Sequence, residues 1–112
     1  MTEPVAGRRL QPANVVAVCH DGPDSAAARQ ASTPDHLRWV ESMLEQLALA
    51  GPLYTDDGAR MVGSLYVFRT ASSTQARAWL ESDPYFAAGI WDRIEYRPFL
   101  AAAGTLVGGL AW

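Results

Sequence analysis

The sequence predicts a single α+β domain with the element order β-α-β-β-α-β. Helical patterns alternate with four strand-like runs, and the two middle runs are joined directly through the turn sequence Asp56-Asp57-Gly58. This order is that of the ferredoxin-like fold, a split βαβ unit that packs two helices on one face of an antiparallel sheet. The length of 112 residues leaves room for one hydrophobic core, and we place the domain at residues 13–100.

The first predicted strand covers residues 14–20, a β-rich run that is followed by turn residues from Asp21 onward. Because this run is apolar on both faces, we expect it at the centre of the sheet. Asp24 or Ser25 then caps a short alanine-rich helix that carries Arg29.

A separate helix is predicted from Pro34 to Ala50. Thr33 stands at its N-cap and Pro34 in its first turn, where the missing N–H costs nothing. The apolar residues of this helix recur at the three-and-four spacing of one buried stripe: Leu37, Val40, Met43, Leu44 and Leu47. Gly51-Pro52 is expected to end the helix, and His36 falls in its first turn.

Two strands follow this helix, a weak one at residues 53–55 and a clear one at residues 61–70. Ser64 and Tyr66 share one face of the clear strand. Ser72, with a glutamine three residues later, resembles a capping box at the start of the next helix.

A short helix and a last strand complete the predicted domain. Asp83 is an N-cap followed by Pro84 at the first helical position. Alternation along residues 90–99 puts Ile90, Ile94 and Tyr96 on one face, and Trp91, Arg93, Glu95 and Arg97 on the other. Pro98 limits the end of this strand or places it on a sheet edge.

The sheet face away from the helices is expected to carry Tyr66 or Leu65 together with Trp91. An apolar patch of that size needs cover, so we predict a two-fold homodimer. Residues 1–12 are predicted to be a flexible leader. The apolar tail at residues 101–112 either wraps onto the partner or is loose.

Composition excludes several classes of protein. The net charge of −3 argues against a nucleic-acid partner. No run approaches the roughly 18 apolar residues of a membrane helix, so no membrane partner is expected. Cys19 is the single cysteine, which rules out an intrachain disulfide and fits a cytoplasmic location. His20 lies next to it on the strand and points to the opposite face, so the two form no nucleophile pair.

The chain resembles the YciI-like (YCII-related) family in an ordered set of short motifs. The matching pieces cover roughly residues 14–99 and are Asp21-Gly22-Pro23-Asp24-Ser25, Arg29, His36-Leu37, Gly51-Pro52, Gly63-Ser64-Leu65, Asp83-Pro84-Tyr85, Ala88-Gly89 and Arg97-Pro98-Phe99. The resemblance implies a dimeric α+β barrel of ferredoxin-like subunits. It also implies a site centred on a histidine and an aspartate, which map to His36 and Asp83. The precedent for activity is dehydrochlorination or isomerisation of small ring compounds.

These two residues are the predicted catalytic pair. In the first turn of a helix the macrodipole disfavours imidazolium, so His36 would stay neutral and able to accept a proton. Asp83 would hold the other ring nitrogen. The alternatives are an ordinary histidine and an aspartate that only caps its helix. One carboxylate can also do both.

Three further residues are candidate ligand-binding groups. Arg29 would hold an anionic group through its planar fork, and the alternative is a solvated charge. Ser64 would hydrogen-bond a ligand, or it is small for packing reasons. Tyr85 would offer its phenol to the pocket, or it is a core aromatic. Thr33 departs from the family, because many relatives have a basic residue shortly before the histidine.

No metal site and no cofactor are predicted, since the histidines and the cysteine lack ligand spacing and no glycine-rich phosphate loop is present. Two functions remain open. One is a lyase or isomerase acting on a small metabolite, of which cyclic compounds are one class. The other is a non-catalytic dimeric module that binds a small ligand or a protein.

Overall fold

The computed structural model describes residues 11–110. Its main helices are α1 (Ala26–Ser42), α2 (Ser73–Glu81) and the single turn α3 (Pro84–Ala87). The strands of its main sheet are β1 (Asn14–Asp21), β2 (Leu47–Tyr54), β3 (Met61–Phe68) and β4 (Trp91–Phe99). A small hairpin follows, formed by β5 (Ala103–Gly104) and β6 (Gly109–Leu110). Residues 1–10 of the predicted leader and residues 111–112 of the tail lie outside the described part.

The four main strands form one antiparallel sheet in the order β2-β3-β1-β4. This confirms the ferredoxin-like α+β fold and the central position of β1. Alternate residues of β1 (Val15, Ala17 and Cys19) are fully buried in the core with Ala76 and Leu80 of α2. The strand β4 lies at an edge of the sheet, where Pro98 removes no interior ladder bond.

The predicted break at Thr33-Pro34 is wrong, because α1 is one helix with Pro34 in its interior. Proline there removes a backbone hydrogen bond and crowds the preceding turn. The carbonyl that loses its helical donor is that of Gln30, four residues before Pro34, while the hydroxyl of Thr33 donates to the neighbouring Arg29 carbonyl at 2.7 Å. Buried contacts of Arg29 before the proline and of His36 after it hold both halves in place.

The predicted C-terminal half of that helix is also wrong. The helix ends at Ser42, and Leu47 and Gly51-Pro52 lie in β2. Pairing with β3 satisfies the backbone of this segment and overrides its helical spacing. Proline is tolerated because β2 is an edge strand. Leu37 and Leu44 of the predicted stripe are accordingly exposed.

A bulge in β4 reverses the expected face of Trp91. His20 of β1 lies opposite Arg93, whereas Asp21 lies opposite Trp91, so Asp92 is an extra residue in the ladder. Trp91 therefore packs on the helix side, with its ring edge-on to Tyr66 at a centroid distance of 5.9 Å. Tyr66 and Trp91 are thus not on the open face of the sheet.

The open face carries Leu65 of β3, one of the two predicted alternatives, together with Val16 and Val18 of β1, each half-buried. His20 and Glu95 join on the same face at 3.1 Å. In the described part of the chain, no helix combines the length and the apolarity that crossing a membrane requires.

Candidate functional site

Asp83 occupies the junction between α2 and α3 and is 1% exposed. Its Oδ1 accepts the backbone N–H of Tyr85 at 2.9 Å, the N-cap bond of α3. The same carboxylate lies 2.9 and 3.0 Å from Nδ1 of His36, and its Oδ2 accepts the hydroxyl of Tyr66 at 2.7 Å. The structure thus brings Asp83 and His36 together, and the carboxylate both caps a helix and holds the ring.

His36 lies in the middle of α1, so the expected position in a first turn is wrong and the macrodipole argument does not apply. Its ring is stacked on Tyr85, with centroids 3.8 Å apart, and its side chain is 14% exposed. Because a carboxylate only accepts, Nδ1 must carry the proton. In the neutral ring, the lone pair then lies on Nε2.

Tyr66 is a site residue that the sequence pattern did not single out as one. It shares a strand face with Ser64, and a phenol on a buried face needs a partner. Burial, with the negative charge of Asp83 added to it, raises the pKa of Tyr66 well above its ordinary value. The Tyr66 phenol therefore keeps its proton and donates it to Asp83.

Arg29 is buried and held by several acceptors, so it is not a solvated charge. Its Nε and Nη2 donate to the two carboxylate oxygens of Asp21 at 3.0 and 2.7 Å. Nη2 also reaches Gly63 O and Ser64 Oγ, both at 3.2 Å. Burial lowers the pKa of Arg29, but bonding to Asp21 more than offsets this and leaves it raised. The bidentate partner, Asp21, was not predicted; its place at the end of β1 is the available signal.

The donor in the hydrogen bond between the Thr33 and Tyr85 hydroxyls can be assigned. Thr33 has one hydroxyl proton, which it gives to the Arg29 carbonyl. Its contact of 2.8 Å with Tyr85 must therefore be donated by the Tyr85 phenol. The Arg29 guanidinium lies 5.1 Å from the centroid of the Tyr85 ring, so the arginine cluster meets the ring that stacks on His36.

A cavity of about 270 Å³ lies against these groups. Its polar lining comprises Arg29, Thr33, His36, Ser64, Tyr66 and Tyr85, and its other walls are Leu37, Val40, Ala50, Gly51, Pro52 and Met61. Asp83 stands behind His36 and is not part of the lining. A neighbouring cavity of about 500 Å³, next to the loop between β1 and α1, shares Arg29, Thr33 and Met61 with it. The volume of the first cavity suits a compact ligand, and its lining suits one with an apolar body and one polar edge.

Cys19 and His20 lie apart from this cavity. Cys19 is fully buried, and burial together with the charges of Asp83 and Asp21 raises the pKa of its thiol, so it behaves as a small apolar side chain. His20 is on the open sheet face with Glu95. Within residues 11–110, no cluster of three His, Cys, Asp or Glu side chains is placed to hold a metal ion.

Comparisons with known proteins agree with this architecture. The model of the YCII-related domain matches residues 13–100. The chain is 31% identical over 91 residues to protein YciI of Escherichia coli, which covers 75% of this chain and 93% of that protein. The figures are the same for protein YciI of Shigella flexneri: 31% over 91 residues, 75% and 93%.

A solved structure has the same fold. It is 5-chloro-2-hydroxyhydroquinone dehydrochlorinase from Burkholderia phenoliruptrix, in complex with 2,5-dihydroxybenzoquinone. The TM-score is 0.70 at 21% sequence identity, and the match covers 82% of this chain and 96% of that one.

Proposed function

Since the chain belongs to the family of YCII-related domains, we propose that it is a small enzyme of the lyase or isomerase type in which His36 transfers a proton. The observation that carries the proposal is the pair of His36 and Asp83: the ring lines the cavity, and the carboxylate holds its Nδ1 from behind. Such a base needs a fixed tautomer and a counter-charge, and one buried carboxylate supplies both.

The proposed reaction begins with a proton on carbon. Nε2 of His36 takes this proton, and the C–H electron pair forms a double bond. In elimination, the bond from the adjacent carbon to a leaving group breaks, the leaving group departs with the electron pair of that bond, and His36 then gives its proton to the leaving group or to solvent. In isomerisation, the pair of an adjacent double bond shifts to a carbon further along, and His36 returns the proton to that carbon. The Asp83 carboxylate stabilises the imidazolium between these steps.

The polar edge of the cavity gives the proposal its ligand-binding groups. The described partner of Arg29 Nη1 is the thioether of Met61 at 3.7 Å, a weak acceptor that an anionic or carbonyl oxygen would outcompete. Ser64 accepts from Arg29 and keeps its own proton to donate. The dehydrochlorinase of the same fold was solved with a dihydroxybenzoquinone, so oxygenated ring compounds are the first substrates to screen.

Replacing His36 with Asn tests the role of the base. The Asn amide keeps a donor for Asp83 but has no ring nitrogen to accept a proton. We expect turnover of a converted ring compound to fall about 100-fold to 10,000-fold. The measurement is steady-state turnover of a compound found by thermal-shift screening, with 2,5-dihydroxybenzoquinone among the first probes.

The matched control is His20→Asn, which changes the histidine on the other face of the sheet and leaves turnover unchanged. Equal turnover in H36N and in the unaltered chain would remove His36 from the mechanism. Ligands that bind without conversion would instead support the non-catalytic binding module.

We also propose that the chain forms a homodimer through the open sheet face. Val16, Val18 and Leu65 give this face an apolar centre that gains from burial. We expect Leu65→Asp to halve the mass measured by sedimentation equilibrium. Leu44→Asp, at an exposed site in the turn between α1 and β2, is the control and keeps the original mass. An unaltered chain that sediments as a monomer would contradict the proposal.

A further inference from the structure

The Tyr66 side chain is held by contacts with three aromatic rings and by one hydrogen bond of its hydroxyl. Its ring is stacked on Phe68 with centroids 5.7 Å apart, and it meets Trp39 and Trp91 edge-on at 6.0 and 5.9 Å. The residue is 2% exposed. These ring contacts orient the side chain so that its hydroxyl points at Asp83, and the hydroxyl oxygen lies 2.7 Å from Oδ2 of that carboxylate.

The donors around Asp83 come from three different elements. His36 Nδ1 comes from α1, the hydroxyl of Tyr66 from β3 and the backbone N–H of Tyr85 from α3. A donor to a carboxylate stabilises its charge and so weakens its attraction for another proton. The Tyr66 bond therefore acts on His36 through Asp83.

We propose that Tyr66 is a positioning residue that fixes the Asp83 carboxylate against Nδ1 of His36 and keeps the ring neutral, with the Nε2 lone pair available to the cavity. The inference rests on the proposed role of His36 as the base. It adds a function for a phenol whose hydroxyl donates to Asp83. A base must be neutral to act, so this bond determines how far down in pH the enzyme works.

Other charged or titratable groups near His36 come from the elements packed around it. Asp83 and Tyr85 face it from the α2–α3 junction and from α3, and Tyr66 stands behind Asp83 on β3. Arg29, on the same helix as His36, lies over the Tyr85 ring. Tyr85 thus offers a matched control, since its hydroxyl contacts Thr33 and not Asp83.

The test is an NMR titration of the His36 ring in the full chain, labelled with ¹⁵N-histidine and without ligand. We expect Tyr66→Phe to move the His36 titration midpoint upward, because the Asp83 carboxylate loses a donor and attracts the proton on Nδ1 more strongly; the shift is smaller than the roughly one pH unit that a hydrogen bond to a charged group is worth to the group that accepts it. Tyr85→Phe leaves the midpoint in place. His20, on the other sheet face, serves as the internal reference.

A second variant is expected to shift the His36 midpoint in the opposite direction while it leaves the shape of the side chain at position 66 nearly unchanged. Placing 3-fluorotyrosine at position 66 makes the phenol a stronger donor, so the midpoint moves downward. It also decides the matter if Y66F does not fold. An unchanged midpoint, or equal shifts in Y66F and Y85F, would overturn the proposal. Failure of the enzymatic hypothesis would appear separately, in the turnover of H36N.

Discussion

Replacing Asp83 with Ala is expected to lower the free energy of unfolding by about 3 kcal/mol. The change removes the cap of α3 and leaves the buried hydroxyl of Tyr66 and the Nδ1–H of His36 without an acceptor. The cap contributes about 1 kcal/mol of this, and an unsatisfied buried donor costs about as much again or more. Urea denaturation measures the loss.

Two controls separate burial from charge in this prediction. Asp35→Ala removes an exposed carboxylate of α1 that pairs with Arg38, and we expect little change. Asp83→Asn keeps an acceptor for the Tyr85 N–H but turns a donor toward Tyr66 or His36, so its loss falls between the other two. If D83A were as stable as D35A, the hydrogen bonds that Asp83 accepts from α3 and β3 would contribute nothing to the free energy of unfolding.

Local signals predicted the starts of α1, α2 and α3, but neither the end of α1 nor its continuity through Pro34. Ser72 accepts the backbone N–H of Gln75 at 3.0 Å, as its spacing predicts, and Asp83 caps α3. Thr33-Pro34 carries an equally good start signal, yet it lies inside α1. The difference is tertiary: buried polar contacts hold the helix on both sides of Pro34, and no local pattern reveals them.

The candidate site was predictable as residue types and not as a network. The family motifs indicated His36 and Asp83, and the structure brings them within 2.9 Å. The sequence leaves open whether Tyr66 or Leu65 faces the helices, because strand alternation separates two faces but does not say which of them meets the helices. Trp91 was misplaced by a bulge of one residue, which strict alternation cannot anticipate.

Arg29→Met is expected to destabilise the chain by about 3–5 kcal/mol, the usual cost of breaking a buried ion pair from one side. Met keeps much of the apolar stem, so the loss comes from the carboxylate of Asp21. That side chain is 9% exposed and would be left charged and unpaired. Denaturant unfolding of the single variant measures the cost. Arg38→Met, at an exposed pair on the same helix, is the matched control and changes little.

The double variant R29M/D21L distinguishes stability from ligand binding. Removing both charges together leaves no unpaired ion, so most of the lost free energy of unfolding returns, and the cycle gives a coupling of about 2 kcal/mol or more. If Arg29 also holds the oxygen of a ligand, this refolded double variant still fails to bind ring compounds that the unaltered chain binds. Restored binding together with restored stability would make Arg29 a structural ion and would leave the polar edge of the cavity to Ser64 and Tyr85.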